Sequence, residues 1–264
     1  MIIIKNVNMV YIFSDKSERS PIVAKNRSHK MREILSVALT LACEGGLDNL
    51  TLHRLADRMD RSVGAVYRYF PSKEAVVAEV QRLIATHIVL LTQDAQEKLA
   101  AFAEECRMSD EDRALAALLV SGLSYEAYAM KAPLEFGLVS HYLSSTRHDL
   151  PERDAAHVFS VTSSSLDGLA GLFTQAEELH LLRAGSSRER AVAFWGALQG
   201  TMDVTRFVIR GGWQTSPSLI TQVLISLLTG WGADRTRLEA LSNIIAGAHI
   251  TNIKRNASDL LLAE

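Results

Sequence analysis

The stretch Thr51-Leu52-His53-Arg54-Leu55-Ala56-Asp57-Arg58-Met59-Asp60-Arg61-Ser62-Val63-Gly64-Ala65-Val66-Tyr67-Arg68-Tyr69-Phe70-Pro71-Ser72-Lys73 decides the fold. Thr51 offers an N-cap hydroxyl to a short helix over 52–59, whose Leu52, Leu55, Ala56 and Met59 share one face. Ser62 offers a second cap, to a helix over 63–70 that Pro71 ends, because the residue before a proline disfavours helical angles. Ser72 caps the helix that follows. Upstream, Ile34, Leu35, Ala38, Leu39, Leu41 and Ala42 recur at three- and four-residue steps, which predicts a longer amphipathic helix. That helix stops at Gly45-Gly46, where glycine can take the left-handed cap conformation. Two short capped helices separated by a tight turn and packed on a longer first helix form a helix-turn-helix.

In such a module the second short helix enters the DNA major groove with its first residues at the base edges, while neighbouring helix ends meet phosphates. The residues suit that division. Ser62, Val63, Gly64 and Ala65 are small enough for close approach, and Val63 or Ala65 can touch a thymine methyl. Tyr67, Arg68 and Tyr69 follow in succession, and helical geometry spreads them too widely for all three to be core. Lys73 lies in the first turn of the next helix, where a cation opposes the helix dipole unless an anion arrives. In the turn, Asp60 tolerates the left-handed conformation better than most residues other than glycine. The charge of Arg61 is costly to bury unpaired, so its side chain is expected to point outward, within reach of a phosphate. Lys25, Arg27, His29, Lys30 and Arg32 read as a flexible basic arm against the DNA backbone or minor groove.

From Ile34 to Val80 the segment resembles the N-terminal DNA-binding domain of the TetR family. Ala38, Glu44-Gly45-Gly46-Leu47, Leu52, Leu55-Ala56 and the run from Ser62 to Glu74 carry the resemblance. It implies that His53 and Arg54 on the supporting helix, Ser62, Gly64, Ala65 and Tyr67 on the recognition helix, and Tyr69 and Lys73 beside it contact DNA. Family members commonly have Gly and then an apolar residue in the turn that Asp60 and Arg61 occupy here.

The rest of the chain reads as helix throughout: 73–105, 111–128, 134–147, 152–182, 187–210, 217–231 and 234–248, with breaks at Pro, Gly and Ser clusters. The expected fold class is therefore all-α, with a loose extension over 1–24, a helix-turn-helix domain over 25–80, a helical domain over 81–232 and a C-terminal extension over 233–264. The resemblance implies that the helical domain binds an effector and dimerises through its last two long helices, about 187–210 and 217–231. Aromatic and sulfur side chains with a few polar partners fit a largely apolar pocket there: Tyr125, Tyr128, Phe136, His141, Phe159, Phe173, Trp195, Gln199, Met202 and Asp203. Core filling is the commoner role for any one of them, and the resemblance favours a pocket for the group. For the dimer interface the candidates are Trp195, Gly196, Gly200, Leu224 and Leu228.

Composition agrees with a globular protein: of 264 residues, 48% are hydrophobic and 22% charged. The net charge of −2 hides an asymmetry. Residues 25–82 hold ten Lys and Arg against seven Asp and Glu, whereas 83–264 hold fifteen against twenty-one. Positive charge thus collects where phosphates are expected. The two cysteines, Cys43 and Cys106, belong to no metal-ligand pattern, so no metal or cofactor is expected. The apolar opening, Met1 to Phe13, is interrupted by Lys5, Asn6 and Asn8 and lacks the form of a signal peptide, and no apolar run approaches the roughly 20 residues of a membrane span.

These observations predict a cytoplasmic, homodimeric transcriptional regulator with double-stranded operator DNA and a small-molecule effector as partners and no membrane. Repression is favoured by the resemblance alone. No His/Asp/Ser constellation, metal spacing or phosphate loop points to an enzyme. A helical interaction adaptor that keeps the head only as scaffold stays open beside it.

Overall fold

Pro21, with its missing N–H and preset φ, is well suited to the first turn of a helix, and the first helix begins there. The computed structural model describes residues 21–144, 152–253 and 257, with side chains over 25–140, 160–253 and 257. Among the described residues there are ten helices and no strand: α1 (Pro21–Asn49), α2 (Leu52–Arg58), α3 (Val63–Tyr67), α4 (Lys73–Glu105), α5 (Asp110–Lys131), α6 (Pro133–Ser144), α7 (Glu152–Glu178), α8 (Ser187–Arg210), α9 (Leu219–Gly230) and α10 (Arg235–Gly247). The chain is all-α, as its periodicity predicts. Lys25 to Arg32 lie within α1, which corrects the expectation of a flexible basic arm. Residues 1–20 of the expected extension lie outside the described residues.

The chain divides into two compact units: Met1–Ala85 with Gly137–Ser160 and Ala257–Glu264, and Thr86–Phe136 with Val161–Asn256. In the first, Ile34, Leu35, Ala38, Leu39, Leu41 and Ala42 of α1 are buried, with Leu52, Leu55 and Ala56 of α2, Val66 of α3, and Phe70, Val76 and Val80 around the start of α4. Helical geometry breaks at Gly45 (φ −149°, ψ 21°) and at Gly46, whose φ of 74° is left-handed and open chiefly to glycine. The Arg58 guanidinium pairs with Glu44 at 2.6 Å and ties α2 back to α1. Gln81 Nε2 donates to the Leu138 carbonyl at 3.2 Å, joining α4 and α6 within this unit.

In the second unit α5 is the central helix, buried without interruption from Ala114 to Val120. Such a run exceeds one amphipathic stripe and marks a helix packed on several sides. Helices α8, α9 and α10 pack on it. At Gly122 it has no side chain, and Leu224 of α9 fills the space: an added Cβ would stand 2.6 Å from Leu224 Cδ2 and 3.2 Å from Phe194 Cζ. Residues 235–247, assigned to an extension by sequence, form α10, whose Leu238, Leu241 and Ile245 are buried and whose Arg237 pairs with Asp112 at the start of α5.

Several helix ends share one hydrogen-bond pattern. After α2, Asp60 N–H donates to Asp57 O and Arg61 N–H to Ala56 O, with Asp60 at φ 52°. This is the Schellman closure, which normally takes glycine at the left-handed position. Arg107, His180 and His249 occupy the same position after α4, α7 and α10, with φ of 51°, 56° and 53°. The closure at His180 ends α7 at Glu178, earlier than its hydrophobic pattern predicts.

The apolarity of α4 is long enough to cross a bilayer by length and composition alone. Its Ala75–Val80, Leu83, Ile84 and Ala85 are largely buried in the first unit, and Ala95, Leu99 and Ala103 in the second.

Candidate nucleic-acid interface

The surface around α3 is built from two caps and a turn. Thr51 Oγ1 accepts from Arg54 N–H at 3.2 Å and starts α2. The Schellman turn at Asp60 reverses the chain, and Ser62, extended at φ −71° and ψ 147°, starts α3 without spending its hydroxyl on a cap bond. The Ser62 carbonyl accepts from Ala65 N–H at 2.9 Å instead. Helix α3 is shorter than expected. Tyr69 and Phe70 N–H both donate to Val66 O in a closing turn, and Ser72 Oγ then accepts from Ala75 N–H at 3.2 Å to start α4.

Val66 and Phe70 anchor this segment in the core, so the residues between and before them turn outward. Ser62, Gly64, Tyr67 and Arg68 are exposed, while Val63, Ala65, Tyr69 and Lys73 are half-buried. Nothing lies within 4 Å of the place a Gly64 Cβ would occupy. Tyr67 is 52% exposed, which is unusual for an aromatic ring and leaves its face available for contact. His53 and Arg54 are exposed on α2.

A cleft opens between α1 and α3, lined by Lys30, Ile34, Met59, Arg61, Ala65, Val66, Arg68 and Tyr69, with a volume of about 100 Å³. It brings together Arg61, Ala65, Arg68 and Tyr69 of the predicted site; His53, Arg54, Tyr67 and Lys73 are not part of its lining. The Arg27 guanidinium sits 5.7 Å above the Tyr69 ring, within cation–π range. Arg61 points outward as expected, and its Nη2 pairs with Glu33 Oε1 at 3.3 Å. Glu33 Oε2 accepts from Lys30 Nζ at 2.8 Å, so one carboxylate serves two cations. The Lys30 hydrogen bond chiefly holds the Glu33 carboxyl below its ordinary value; burial opposes it and the charges of Lys30 and Arg61 reinforce it. Sequence reading missed Glu33. Its signal was the i,i+3 spacing from Lys30 on one helix face.

In the second unit, four of the predicted pocket residues meet. Tyr125 O–H donates to Gln199 Oε1 at 2.6 Å, and Gln199 Nε2 donates to Asp203 Oδ2 at 2.8 Å. Phe136 packs edge-on to Tyr125, ring centres 5.2 Å apart, with the Arg206 guanidinium 4.6 Å above it. Burial pushes the Tyr125 phenol far up, with the Asp203 carboxylate adding to the shift and a Trp195 hydrogen bond opposing it. Burial likewise lowers Arg206, against the pull of Asp203. Tyr128 is engaged elsewhere, donating to Glu135 Oε2 at 2.6 Å and packing edge-on to His87. Phe173 stacks edge-on with Phe194 and Trp231 in a separate cluster. Met202 is buried and Trp195 half-buried, while the side chains of His141 and Phe159 lie outside the described residues.

Of the predicted dimer residues, Gly196 and Gly200 are exposed on α8, with open space where a Cβ would stand. Leu224 and Leu228 are wholly buried within their own unit, so they offer no side-chain surface to a second copy.

The described residues thus form helices alone, with a helix-turn-helix in the first unit and a second helical unit. Residues 34–80 match the family model described as bacterial regulatory proteins, tetR family. The HTH-type transcriptional repressor KstR of Rhodococcus jostii is 36% identical over 62 residues, 22% of this chain and 29% of that protein. Its Mycobacterium tuberculosis counterpart is 35% identical over 54 residues, 20% and 24% of the two chains. The match thus spans under a third of either relative. Among solved structures, a protein of unknown function from Rhodococcus sp. RHA1 superposes with a TM-score of 0.57 at 17% identity, over 76% of this chain and 94% of that one. A TetR-family transcriptional regulator from Agrobacterium tumefaciens gives 0.52 at 23% identity, over 79% and 100%. These likenesses extend the shared fold well beyond the head.

Proposed function

We propose that this chain is a cytoplasmic, homodimeric transcriptional repressor that holds a palindromic operator and releases it when a small, largely apolar molecule binds the helical domain. The observation that carries the reading is the outward face of α3. Ser62 and Gly64 leave the helix start unobstructed, while Tyr67 and Arg68 project from a segment pinned by buried Val66 and Phe70. Ser62, Val63, Gly64, Ala65 and Tyr67 read bases. His53, Arg54, Arg61, Arg68, Tyr69 and Lys73 hold the backbone. The domains follow the sequence reading, a head over 25–80 and an effector domain from 81, except that the latter continues past 232 to take in α10.

An exposed stripe on α8 supports the homodimer. Val192, Gly196, Gly200, Val204 and Phe207 recur at four- and three-residue steps, and Phe207 is 77% exposed. One helix face of this kind suits a matching helix from a second copy, because the two glycines permit close approach. The effector lies among Tyr125, Phe136, Trp195, Gln199, Met202 and Asp203, and its binding shifts the population between operator-competent and incompetent forms. The reading gives the chain no catalytic role.

Selection of duplexes from a randomised pool by the purified protein tests the reading, with sedimentation run in parallel. The expected result is a palindromic consensus bound by a dimer in a salt-sensitive manner. A monomer with full affinity for its selected duplex, or a protein that retains no sequence, refutes it.

A further inference from the structure

The cleft between α1 and α3 gathers Arg61, Ala65, Arg68 and Tyr69 of the proposed DNA contacts around a floor that has so far been given no role. Its floor is apolar, made by Ile34 and Val66, which are 3% and 1% exposed. Its rim carries Lys30, Arg61 and Arg68. Two of these cations share the single carboxylate of Glu33, one on each oxygen. Among the described residues Arg68 has no carboxylate partner. The rim therefore keeps an excess of positive charge in the folded head.

Cations around an apolar floor suit a group that is anionic at one end and carbon-rich beside it. A nucleic-acid backbone has that alternation: a phosphodiester next to a deoxyribose. The position also fits, because Ala65 lines the cleft from the same short helix that carries the base-reading residues.

We propose that this cleft seats one backbone phosphate and its sugar edge, and that Glu33 occupies the cations of that seat in the free protein. Arg61 and Lys30 exchange the Glu33 carboxylate for a phosphate oxygen as DNA arrives. Glu33 is thus a brake on backbone affinity. The inference rests on the reading of the head as a DNA binder and adds a residue to it whose charge opposes binding.

The test uses the full-length protein and a random-sequence duplex of about 30 base pairs, since backbone contacts act on every sequence. Glu33→Gln keeps the shape of the side chain and removes its charge. An exposed ion pair contributes about 1 kcal/mol at most, so freeing the cations is expected to tighten binding about three- to fivefold. It steepens the slope of log K against log[salt] by up to about 0.9, because a protein anion beside the seated phosphate is gone. The gain must depend on Arg61: in the double variant Glu33→Gln/Arg61→Ala most of it disappears. Arg68→Ala, at an exposed position away from the core, flattens the slope of the native protein by a similar increment.

Unchanged affinity and slope in Glu33→Gln overturn the proposal, as does a gain that survives loss of Arg61. Should Glu33→Gln fail to fold, an unchanged slope in Arg68→Ala overturns it. Native protein with no salt-sensitive duplex binding at all refutes the DNA-binding reading itself, which separates the two failures.

Discussion

Replacing Gly122 by alanine tests the packing of the second unit at its closest point. In an open helix interior, alanine in place of glycine gains about 1 kcal/mol, because glycine loses more backbone freedom on folding. Here the new Cβ would stand 2.6 and 2.8 Å from the two Leu224 methyls and 3.2 Å from Phe194 Cζ. Leu224 is 0% and Phe194 1% exposed, so neither can swing into solvent to make room. Forcing a methyl into a closed core costs about 1–3 kcal/mol, which cancels or exceeds the propensity gain. Gly171→Ala on α7 supplies the reference, since nothing lies within 4 Å of its Cβ position. The propensity gain is common to both variants, so they should differ by the clash alone, about 2 kcal/mol. Urea unfolding at one fixed protein concentration, followed by tryptophan emission, measures it cleanly: Trp195, Trp213 and Trp231 are the chain's three tryptophans and all lie in the second unit. Equal stabilisation by the two alanines would refute the close approach of α9 to α5.

Asp60→Gly should stabilise the head by about 0.5–1 kcal/mol, because a left-handed φ strains residues with a Cβ, and Asp60→Ala should destabilise it by a similar amount; protection of α2 amides in native-state hydrogen exchange reports both, and identical protection in the two variants contradicts the strain. Glu126 is pushed up to about 7 by burial. The native state then holds a proton that the unfolded chain releases nearer 4.5, so stability falls as pH rises between those values and levels off above about 7. Glu126→Gln should remove that fall from a pH series of unfolding midpoints, and a persisting slope would assign it to other groups. Lys73→Ala should weaken binding to all duplexes alike and flatten the salt slope by about one, whereas a loss confined to particular sequences would make Lys73 a base reader.

The helices and the head were readable from the chain because their signals are local. Gly45-Gly46, Thr51, Ser72 and the left-handed Asp60 each act on their own turn of backbone, and the structure shows each acting there. The α8 limits were equally plain, since Ser186 caps the start and Gly211-Gly212 the end. What depended on tertiary partners was not readable. The periodicity of α9 marks Leu224 and Leu228 as an apolar face but cannot say whether α5 or a second copy covers it. Tyr125 lies 74 residues before Gln199 and meets the Gln199–Asp203 pair of α8 only through the packing of α5 on α8. The early start of α1 was missed because Lys25 to Arg32 carry little apolar period, and the helix instead opens on Pro21.

The Schellman turn after α2 closes through backbone bonds alone, so glycine would serve it with less strain than aspartate. Choosing Asp60 sets a negative charge one residue before Arg61, on the face proposed to meet DNA. A regulator locates its operator by sampling vast lengths of other sequence, and each stop lasts as long as its charge-driven hold on the backbone. On the proposed function, a carboxylate in that turn would shorten every stop without touching the bases, and so trade grip on arbitrary DNA for speed of search.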